Sequence, residues 1–137
     1  MPSPSPDPID GQRPSRAIGA LGERFAAAHL ERLGLRVIAH NLRLGAGEID
    51  LIAFDGRTLV FAEVKSARLT ANSGAPAPVP LERLGAAQRL RLRRLAVRWL
   101  AETTARPRAR TIRFDAIGVL LDGRDELLRL EHLEGAW

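Results

Sequence analysis

The dipeptide Asp55-Gly56, which lies between two apolar runs, constrains the fold of this chain more than any other feature of the sequence. Asp-Gly is a strong signal for the tight turn of a β-hairpin. Residues 48–54 and 58–65 on either side are long enough for strands and rich in branched and aromatic side chains. The sequence therefore predicts two antiparallel strands joined by a two-residue turn.

The charged residues of this hairpin are predicted to share one face of the sheet. A two-residue turn places Asp50 opposite Phe61. Glu48 then lies opposite Glu63, and successive side chains alternate between the two faces. One face is predicted to carry Glu48, Asp50, Glu63 and Lys65, and the other to carry Ile49, Leu51, Ala62 and Val64.

Three carboxylates and one ammonium on a single patch of sheet favour metal chemistry. Like charges on neighbouring strands destabilise a hairpin, and a divalent cation between them would relieve the repulsion. Two carboxylates can hold Mg²⁺ or Mn²⁺ while a phosphate oxygen and water complete its shell. Lys65 is the one lysine among 21 Lys+Arg residues, and it could orient a water molecule through its compact ammonium or deprotonate one as the neutral amine. This set of groups indicates metal-assisted phosphodiester hydrolysis.

The remaining pattern, of order α-β-β-β-α-β-β, predicts an α/β or an α+β fold, and of the two we expect α/β. It consists of a central mixed sheet of about five strands flanked by two main helices. Residues 1–16 carry five prolines and are predicted to form a flexible tail, which leaves residues 17–137 as a single domain. Helices are predicted at 17–33 and 81–103, strands at 35–39, 48–54, 58–65, 110–121 and 126–133, and loops at 41–47 and 66–80.

The predicted second helix carries apolar residues on more than one side. One side collects Leu81, Leu84, Leu92, Leu95 and Trp99, whereas Leu90, Val97 and Leu100 lie elsewhere around the helix. The helix is therefore expected to be buried on two sides, with the extra apolar stripe available for a homodimer contact. A polar sector with Arg83, Arg94 and Arg98 is either a solvated face or a DNA-contact face.

Charge and composition narrow the classes of partner. The net charge of +5 and the sequence pI near 11.3 favour polyanions, and nucleic acid first among them. Aromatic residues make up 4% of the chain and tyrosine is absent, which argues against a single-strand stacking platform. The chain has no cysteine, no secretory signal pattern and no apolar run long enough to cross a membrane, so a cytoplasmic location is expected.

Five short motifs stand out in combination. They are Gly19-Ala20-Leu21-Gly22-Glu23, Asn41-Leu42-Arg43, Gly47-Glu48-Ile49-Asp50, Phe61-Ala62-Glu63-Val64-Lys65 and Arg113-Phe114-Asp115. Together they resemble the bacterial UPF0102 (YraN-type) family. That family in turn resembles the restriction-endonuclease-like superfamily with the PD-(D/E)xK site, and within it the archaeal Holliday-junction resolvases. The resemblance implies a restriction-endonuclease-like core and a nuclease-like domain.

The resemblance also implies roles for individual residues. Asp50 corresponds to the first acid, Glu63 to the second acid and Lys65 to the lysine of the motif, with Asp50 and Glu63 as metal ligands. Glu23 corresponds to an extra acid on the first helix. The usual proline before the first acid is replaced by Ile49. Gln88 stands where the family usually has a lysine, so the residues implied in nucleic-acid contact are Arg43, Gln88, Arg89 and Arg91.

Other interpretations of the same residues remain open at this stage. Glu23 could be a solvated helix acid, and Lys65 a salt-bridge partner of Glu63. Glu48 could be a ligand, a partner of Arg43 or a charge at the rim. Asp115 is expected to pair structurally with an arginine. The three histidines show no ligand spacing, so core or surface roles are expected for His29, His40 and His132.

Two hypotheses from different classes follow. The first is a Mg²⁺- or Mn²⁺-dependent endonuclease that acts on DNA, with branched or otherwise structured DNA among its candidate substrates. Cutting two strands would suit a homodimer. The second is a noncatalytic module that binds nucleic acid or protein on a nuclease-like fold, because a fold does not fix a function.

Overall fold

Two helices and five strands follow one another in the predicted order α-β-β-β-α-β-β. The computed structural model describes residues 16–70 and 74–137, so the predicted tail lies outside the described residues except for Arg16, which begins the first helix. The elements are α1 (Arg16–Arg32), β1 (Arg36–Leu44), β2 (Gly47–Phe54), β3 (Thr58–Arg68), a short 3-10 helix (Pro80–Arg83), α2 (Ala86–Glu102), β4 (Thr111–Leu121) and β5 (Leu127–Leu133).

The strands form one mixed sheet in which neighbours in sequence are neighbours in space, in the order β1-β2-β3-β4-β5. β1 with β2, β2 with β3, and β4 with β5 pair antiparallel. β3 and β4 pair parallel from Thr58–Thr111 to Arg68–Leu121. Parallel neighbours need a long crossover, and α2 lies in that crossover. The predicted α/β class and mixed five-stranded sheet are confirmed.

Helix α1 ends where the sequence predicted, because Gly34 adopts a left-handed conformation with φ of 87°. The Leu35 N–H donates to the Leu30 carbonyl at 2.9 Å, and the Gly34 N–H donates to the Glu31 carbonyl at 3.0 Å. These two bonds form the glycine cap that satisfies the last carbonyls of a helix. The cap turns the chain directly into β1.

The buried face of α1 packs on one side of the sheet, which we call the α1 face. Gly22 makes the closest approach, since a Cβ built there would lie 1.7 Å from the Ser66 hydroxyl oxygen on β3. Only a hydrogen atom fits at this position, so α1 is held tightly against β3. The buried residues of this layer include Ala26, Leu30, Leu51, Val60, Ala62, Ile117 and Val119.

Helix α2 covers the opposite side of the sheet, the α2 face. Phe61 on β3 meets Trp99 on α2 edge to face, with ring centroids 5.7 Å apart. Fully burying one large apolar side chain contributes about 1.5–3 kcal/mol to stability, so this layer is a second core rather than a surface contact. Its buried members are Ile49, Ile52, Leu59, Phe61, Leu92, Leu95, Ala96 and Trp99.

The predicted loop at 41–47 is wrong, because β1 continues to Leu44 and only Gly45 and Ala46 form the turn. Leu42 pairs with Ile49 and packs in the α2-face core, which extends the strand beyond the predicted end at residue 39. Asn41 sits inside the strand at φ of 46°, a conformation that asparagine tolerates better than most residues.

The predicted second helix is shorter than expected at both ends. Pro80–Arg83 forms a separate 3-10 helix, and Gly85 in an extended conformation caps the start of α2 at Ala86. Leu81 packs instead against Gly118, where a Cβ would lie 2.8 Å from the Leu81 Cγ. Leu90 and Val97 are 49% and 65% exposed, so the expectation that this helix is buried on two sides is wrong.

The remaining boundaries agree with the pattern of the sequence. β4 and β5 lie where strands were predicted, and β3 extends three residues further than expected, which shortens the predicted loop at 66–80. Among the described residues, no helix has the length and apolar character needed to span a bilayer.

Candidate metal site and nucleic-acid cleft

The β2–β3 hairpin has a different register from the predicted one. Phe54 lies opposite Leu59, so the predicted pairing of Asp50 with Phe61 is wrong by two positions, and Ile52 is the residue opposite Phe61. The Asp55 side chain causes the shift by accepting the N–H groups of Arg57 at 2.9 Å and Thr58 at 2.7 Å. The predicted pairing of Glu48 with Glu63 belongs to the same wrong register.

A shift of two residues does not exchange the two faces of a strand, because side chains alternate with a period of two. Glu48, Asp50, Glu63 and Lys65 therefore line one cleft, as predicted. Ile49 is the exception on the other side. It packs in the α2-face core, whereas Leu51 packs in the α1-face core, so β2 does not alternate regularly at its start.

The main-chain ladder between β2 and β3 ends at Leu51–Ala62, and a side chain continues it. The Asp50 carboxylate accepts the Val64 main-chain N–H at 2.8 Å. The first half of β2 thus pairs with β1 while its contact with β3 passes through a carboxylate. This opening between two strands is the origin of the cleft.

The cleft has a volume of about 350 Å³ and lies between the β2–β3 hairpin and α2. Its strand side is strongly charged, and its helix side presents an amide, a guanidinium and two leucines. The lining residues are Ala46, Gly47, Glu48, Asp50, Glu63, Lys65, Gln88, Arg91, Leu92 and Leu95.

Lys65 and Glu63 form an ion pair inside this cleft. The Lys65 Nζ lies 3.3 Å from Glu63 Oε1, and both side chains are 18% exposed. Both sequence interpretations of Lys65 are therefore compatible with its position, since the ammonium contacts an acid and also faces the cleft. A paired and mostly buried ammonium has a fixed orientation, which a free surface lysine lacks.

Glu23 reaches the same site from α1, across the end of the sheet. Carboxylate oxygens of Glu23, Glu48 and Asp50 all lie within 4.8 Å of one another. Asn41 on β1 holds Glu23 by a side-chain hydrogen bond. The left-handed backbone of Asn41 thus belongs to the site. Asn41 is part of a motif shared with the family, but its contact with Glu23 was not predicted from the sequence.

The acids of the cleft are held in conditions that disfavour their charged forms. Burial, reinforced by the neighbouring Glu63, raises the pKa of Asp50 to about 8. Burial also raises the pKa of Glu63, although Lys65 opposes the shift. The pKa of Glu23 is raised by burial and by Glu48, against the hydrogen bond from Asn41. Without a cation, these carboxylates therefore tend to bind protons, which reduces the repulsion between them.

Oxygen-rich clusters of this kind suit hard divalent cations. Asp50 and Glu63 form the pair implied by the resemblance, and Asp50 is also within reach of Glu23 and Glu48. Carboxylate oxygens are the ligands that Mg²⁺ and Mn²⁺ prefer, and among the described residues no sulfur or imidazole group lines the cleft to favour a softer metal. Asp50 is the ligand common to both possible sets.

The residues implied in nucleic-acid contact separate into two groups. Gln88 and Arg91 line the cleft, and Arg43 lies at its rim with Nη2 3.9 Å from Glu48 Oε2. Arg89 points elsewhere, because its guanidinium lies over the Trp137 ring at 5.8 Å from the centroid. Arg91, and not Arg89, is therefore the cation that α2 offers to the cleft.

The polar sector expected for Arg83, Arg94 and Arg98 does not form as one surface. Arg83 belongs to the 3-10 helix and donates to the Ser66 carbonyl, because the helix is interrupted at Gly85. Arg98 pairs with Glu102 at 2.9 Å along the exposed side of α2. Arg94 is exposed on the same helix.

Asp115 lies outside the cleft and has the structural role expected of it. Arg113 donates to both of its oxygens at 2.8 Å, and the Gly135 N–H donates at 3.0 Å. His132 contacts it at 2.7 Å and also contacts His29 on α1 at 3.0 Å. The expectation of core or surface roles holds for this histidine pair, but its contact across 103 residues had no signal in the sequence.

Sequence comparisons agree with the motifs that build the cleft. A sequence profile described as "Uncharacterised protein family UPF0102" matches residues 22–119. A UPF0102 protein of Beutenbergia cavernae is 49% identical over 123 residues, which cover 90% of this chain and 98% of that protein. UPF0102 proteins of a Parafrankia species and an Arthrobacter species are 43% and 41% identical over 125 and 118 residues, covering 91% and 86% of this chain and 99% and 93% of theirs.

The matched span runs from Gly22, which packs α1 against β3, to Val119 near the end of β4, and so contains every residue that lines the cleft. On these grounds the chain belongs to the UPF0102 family.

Proposed function

We propose that this protein is a Mg²⁺- or Mn²⁺-dependent endonuclease that hydrolyses phosphodiester bonds in DNA. The observation that carries the proposal is the cleft itself. Asp50, Glu63 and Lys65 stand on one wall and Gln88 and Arg91 on the other. A hydrolase for a phosphodiester needs a place for a cation, a place for a water molecule and a place for an anionic phosphate, and these two walls supply all three.

The acidic wall would hold the cation. Asp50 and Glu63 are neighbouring buried acids, and burial, reinforced by the charge of Glu63, raises the pKa of Asp50. A bound divalent cation supplies charge stabilisation at phosphorus and a more acidic water. In its presence both carboxylates can ionise. The free energy that disfavours two charged carboxylates in the metal-free site therefore favours a site that holds a cation.

Lys65 would position the water. Its ammonium is fixed by Glu63 at 3.3 Å and faces the cleft next to the proposed ligands. Glu23 and Glu48 lie on the far side of Asp50, where they can hold further water of the cation shell by hydrogen bonds. Orientation by prearranged charges of this kind is a main source of rate enhancement in enzymes.

The helix wall would receive the phosphate. Arg91 gives a guanidinium that can bind two phosphate oxygens at once, and Gln88 gives an amide donor without charge. Arg43 at the rim and the net charge of +5 favour approach of a polyanion. The resemblance to Holliday-junction resolvases adds branched DNA to duplex and single-stranded DNA as substrates to be tested.

The test is a cleavage assay with purified protein on duplex, single-stranded and four-way-junction DNA, with Mg²⁺, with Mn²⁺ and with chelator. We expect metal-dependent cleavage that falls by about 10² or more in Asp50→Asn and in Glu63→Gln. Glu102→Gln, an exposed acid at the end of α2, is the matched control and should cleave as wild type. Absence of cleavage above the Asp50→Asn background on every substrate would rule the proposal out.

A noncatalytic nucleic-acid-binding module is the second candidate. Gln88 favours it, because a neutral amide occupies a cleft position where the resemblance implies a lysine. Such a module would bind DNA equally well with and without metal, and Asp50→Asn would leave that affinity unchanged. Metal titration calorimetry on the wild type and Asp50→Asn separates the two candidates, since only the nuclease requires a cation at Asp50.

A further inference from the structure

The two edges of the sheet differ in how well they are protected against pairing with another strand. β1, at one edge, carries a register shift between Val37 and Ala39 and a left-handed residue at Asn41, both of which disrupt a regular row of hydrogen-bonding groups. β5, at the other edge, has its register shift only at its start, opposite Leu120 and Leu121. The stretch from residue 129 to 133 is a regular strand, and within residues 16–70 and 74–137 it has a neighbouring strand on one side only.

The side chains of this stretch are self-complementary about Leu130. Two copies of a strand that pair antiparallel are related by a two-fold axis, and opposed residues lie on the same face of the sheet. The two-fold axis must then lie level with one residue, which faces its own copy in the other protomer, and not between two successive residues. If it passes beside Leu130, Arg129 of each copy lies opposite Glu131 of the other.

The neighbouring registers are disfavoured by charge. An axis beside Arg129 would oppose two arginines, and an axis beside Glu131 would oppose two glutamates. Directly opposed like charges destabilise a strand pair, whereas opposite charges contribute about 0.2–1 kcal/mol per pair. The register centred on Leu130 thus contains two favourable ion pairs and no repulsive one.

The residues needed for this contact are accessible. The Arg129 and Glu131 side chains are 65% and 30% exposed, and they already form an ion pair within one protomer. Leu128 and Leu133, at the two ends of the stretch, are 49% and 50% exposed. An edge that is apolar at its ends and charged in a self-complementary way at its centre fits a second copy of itself better than an unrelated strand.

We propose that two copies of this protein pair through β5, antiparallel and centred on Leu130, to form a homodimer with one continuous sheet. The two-fold axis is perpendicular to the sheet, so both α2 helices lie on the same side of it. The cleft between β2–β3 and α2 stays open, because β5 lies at the opposite edge from β1 and two strands away from β3. The proposal does not depend on the chemistry of the cleft.

The test begins with sedimentation equilibrium of the full chain over concentrations from micromolar to millimolar. We expect a monomer–dimer equilibrium in the wild type. Arg129→Glu and Glu131→Arg each place like charges opposite one another in the dimer, so the dissociation constant should rise about tenfold or more in each. Arg124→Glu, which makes the same charge change in the exposed turn before β5, should leave the equilibrium unchanged.

The decisive experiment is to mix the Arg129→Glu and Glu131→Arg variants. A dimer of one Arg129→Glu copy with one Glu131→Arg copy has two attractive pairs, although each variant alone has lost its internal ion pair. The mixture should therefore recover wild-type association. A second measurement uses the absence of cysteine in the chain, because Arg129→Cys mixed with Glu131→Cys should form a disulfide-linked dimer more readily than either alone.

Each outcome either supports or overturns the proposed β5 dimer. Recovery on mixing, together with crosslinking specific to the mixed cysteine variants, supports the proposal. A wild type that is monomeric throughout, a dimer insensitive to Arg129→Glu, or folded variants that neither reassociate nor crosslink on mixing would overturn it. Circular dichroism of each variant establishes that it is folded.

Discussion

The Asp50 carboxylate accepts a hydrogen bond from the Val64 main-chain N–H at 2.8 Å, at the point where the β2–β3 ladder stops. The Asp50 carboxylate on β2 thus accepts an N–H group of β3 that a main-chain carbonyl would accept if the ladder continued. This contact fixes the rotamer of Asp50 through the backbone of its neighbour strand, so the proposed ligand is oriented before any cation arrives.

The raised pKa of Asp50 predicts a pH-dependent stability for the metal-free protein. Its pKa is about 8 in the fold and 3.8 ordinarily, so the folded state binds a proton that the unfolded chain lacks between these values. The resulting stabilisation is complete below 3.8 and is lost as pH rises through about 8. Asp50→Asn, which stays neutral, should flatten this fall, as measured by urea unfolding in chelator across that interval.

The control for this prediction is Asp55→Asn. Asp55 is an exposed acid in the hairpin turn, and main-chain N–H groups of Thr58 and Arg57 lower its pKa. Its replacement should leave the fall of stability towards pH about 8 as it is in the wild type. An Asp50→Asn protein whose stability falls as steeply as that of the wild type would contradict the assignment.

Gly22→Ala should destabilise the fold and disturb the site together. Its Cβ would lie 1.7 Å from Ser66 Oγ and 2.7 Å from Ser66 Cβ, so α1 must move away from β3. Overpacking of this kind costs about 1–3 kcal/mol. Because Glu23 is the next residue on α1, its carboxylate would move away from Asp50, and metal affinity should fall as well.

Gly19→Ala is the matched control on the same helix. A Cβ at Gly19 would meet nothing within 4 Å, so the substitution should stabilise the protein by about 0.5–1 kcal/mol through helix propensity. Thermal unfolding of both variants and calorimetric metal titration provide the two measurements. Equal stabilities for the two variants would show that α1 is not held as closely to β3 as Gly22 indicates.

Asp115→Asn should weaken the fold at neutral pH and reduce the loss of stability on acidification. Burial alone would raise the pKa of Asp115, but hydrogen bonds from His132, Arg113 and the Gly135 N–H lower it to about 2. Its contribution is present above 3.8 and is lost as pH falls towards about 2. Breaking this buried arrangement should cost about 3–5 kcal/mol at neutral pH.

Asp125→Asn serves as its comparison. Asp125 pairs with Arg68 at the surface, where such a pair contributes about 0–1 kcal/mol. Urea unfolding at neutral and acid pH measures both variants. If the loss in Asp115→Asn were as small as in Asp125→Asn, the network at Asp115 would not be what holds β4, β5 and the C-terminal turn together.

Arg91→Gln should weaken DNA binding more than an equal change of charge elsewhere. Arg91 lines the cleft, whereas Arg124 lies in the exposed turn between β4 and β5. Loss of one phosphate contact should reduce the salt dependence of binding by about one unit of slope, in addition to a several-fold weaker affinity. Fluorescence anisotropy at several salt concentrations distinguishes Arg91→Gln from Arg124→Gln, and identical slopes would remove Arg91 from the proposed contact.

The order of elements could be predicted from the sequence because periodicity and turn residues are local signals. The predicted end of the first helix at residue 33 lies one residue from the end of α1, and the strands predicted at 110–121 and 126–133 are β4 and β5. Asp55-Gly56 marked the right turn with the wrong register, because the Asp55 side chain captures two N–H groups and lengthens the connection. The acidic side chains still line one cleft as predicted, because the error in the register was two residues and not one.

The rest of the site depends on contacts between distant parts of the chain. Asn41 holds Glu23 only because a left-handed residue interrupts β1 at the right place. Arg91 rather than Arg89 faces the cleft because it shares one side of α2 with Gln88, Leu92 and Leu95. Neither the backbone conformation at Asn41 nor the rotation of α2 relative to the sheet leaves a pattern in the sequence.

The single parallel strand pair has a consequence for how the cleft is assembled. β1, β2 and β3 are joined by short turns, so these strands and their acids can come together early from local contacts. The partner of β3 lies beyond a crossover from residue 69 to residue 110, and closing so long a loop is slow. Because α2 lies within that crossover, we expect the helix wall of the cleft to form in a later folding step than the acidic wall. Pulsed hydrogen exchange during refolding would then show amides of β2 protected before those of α2.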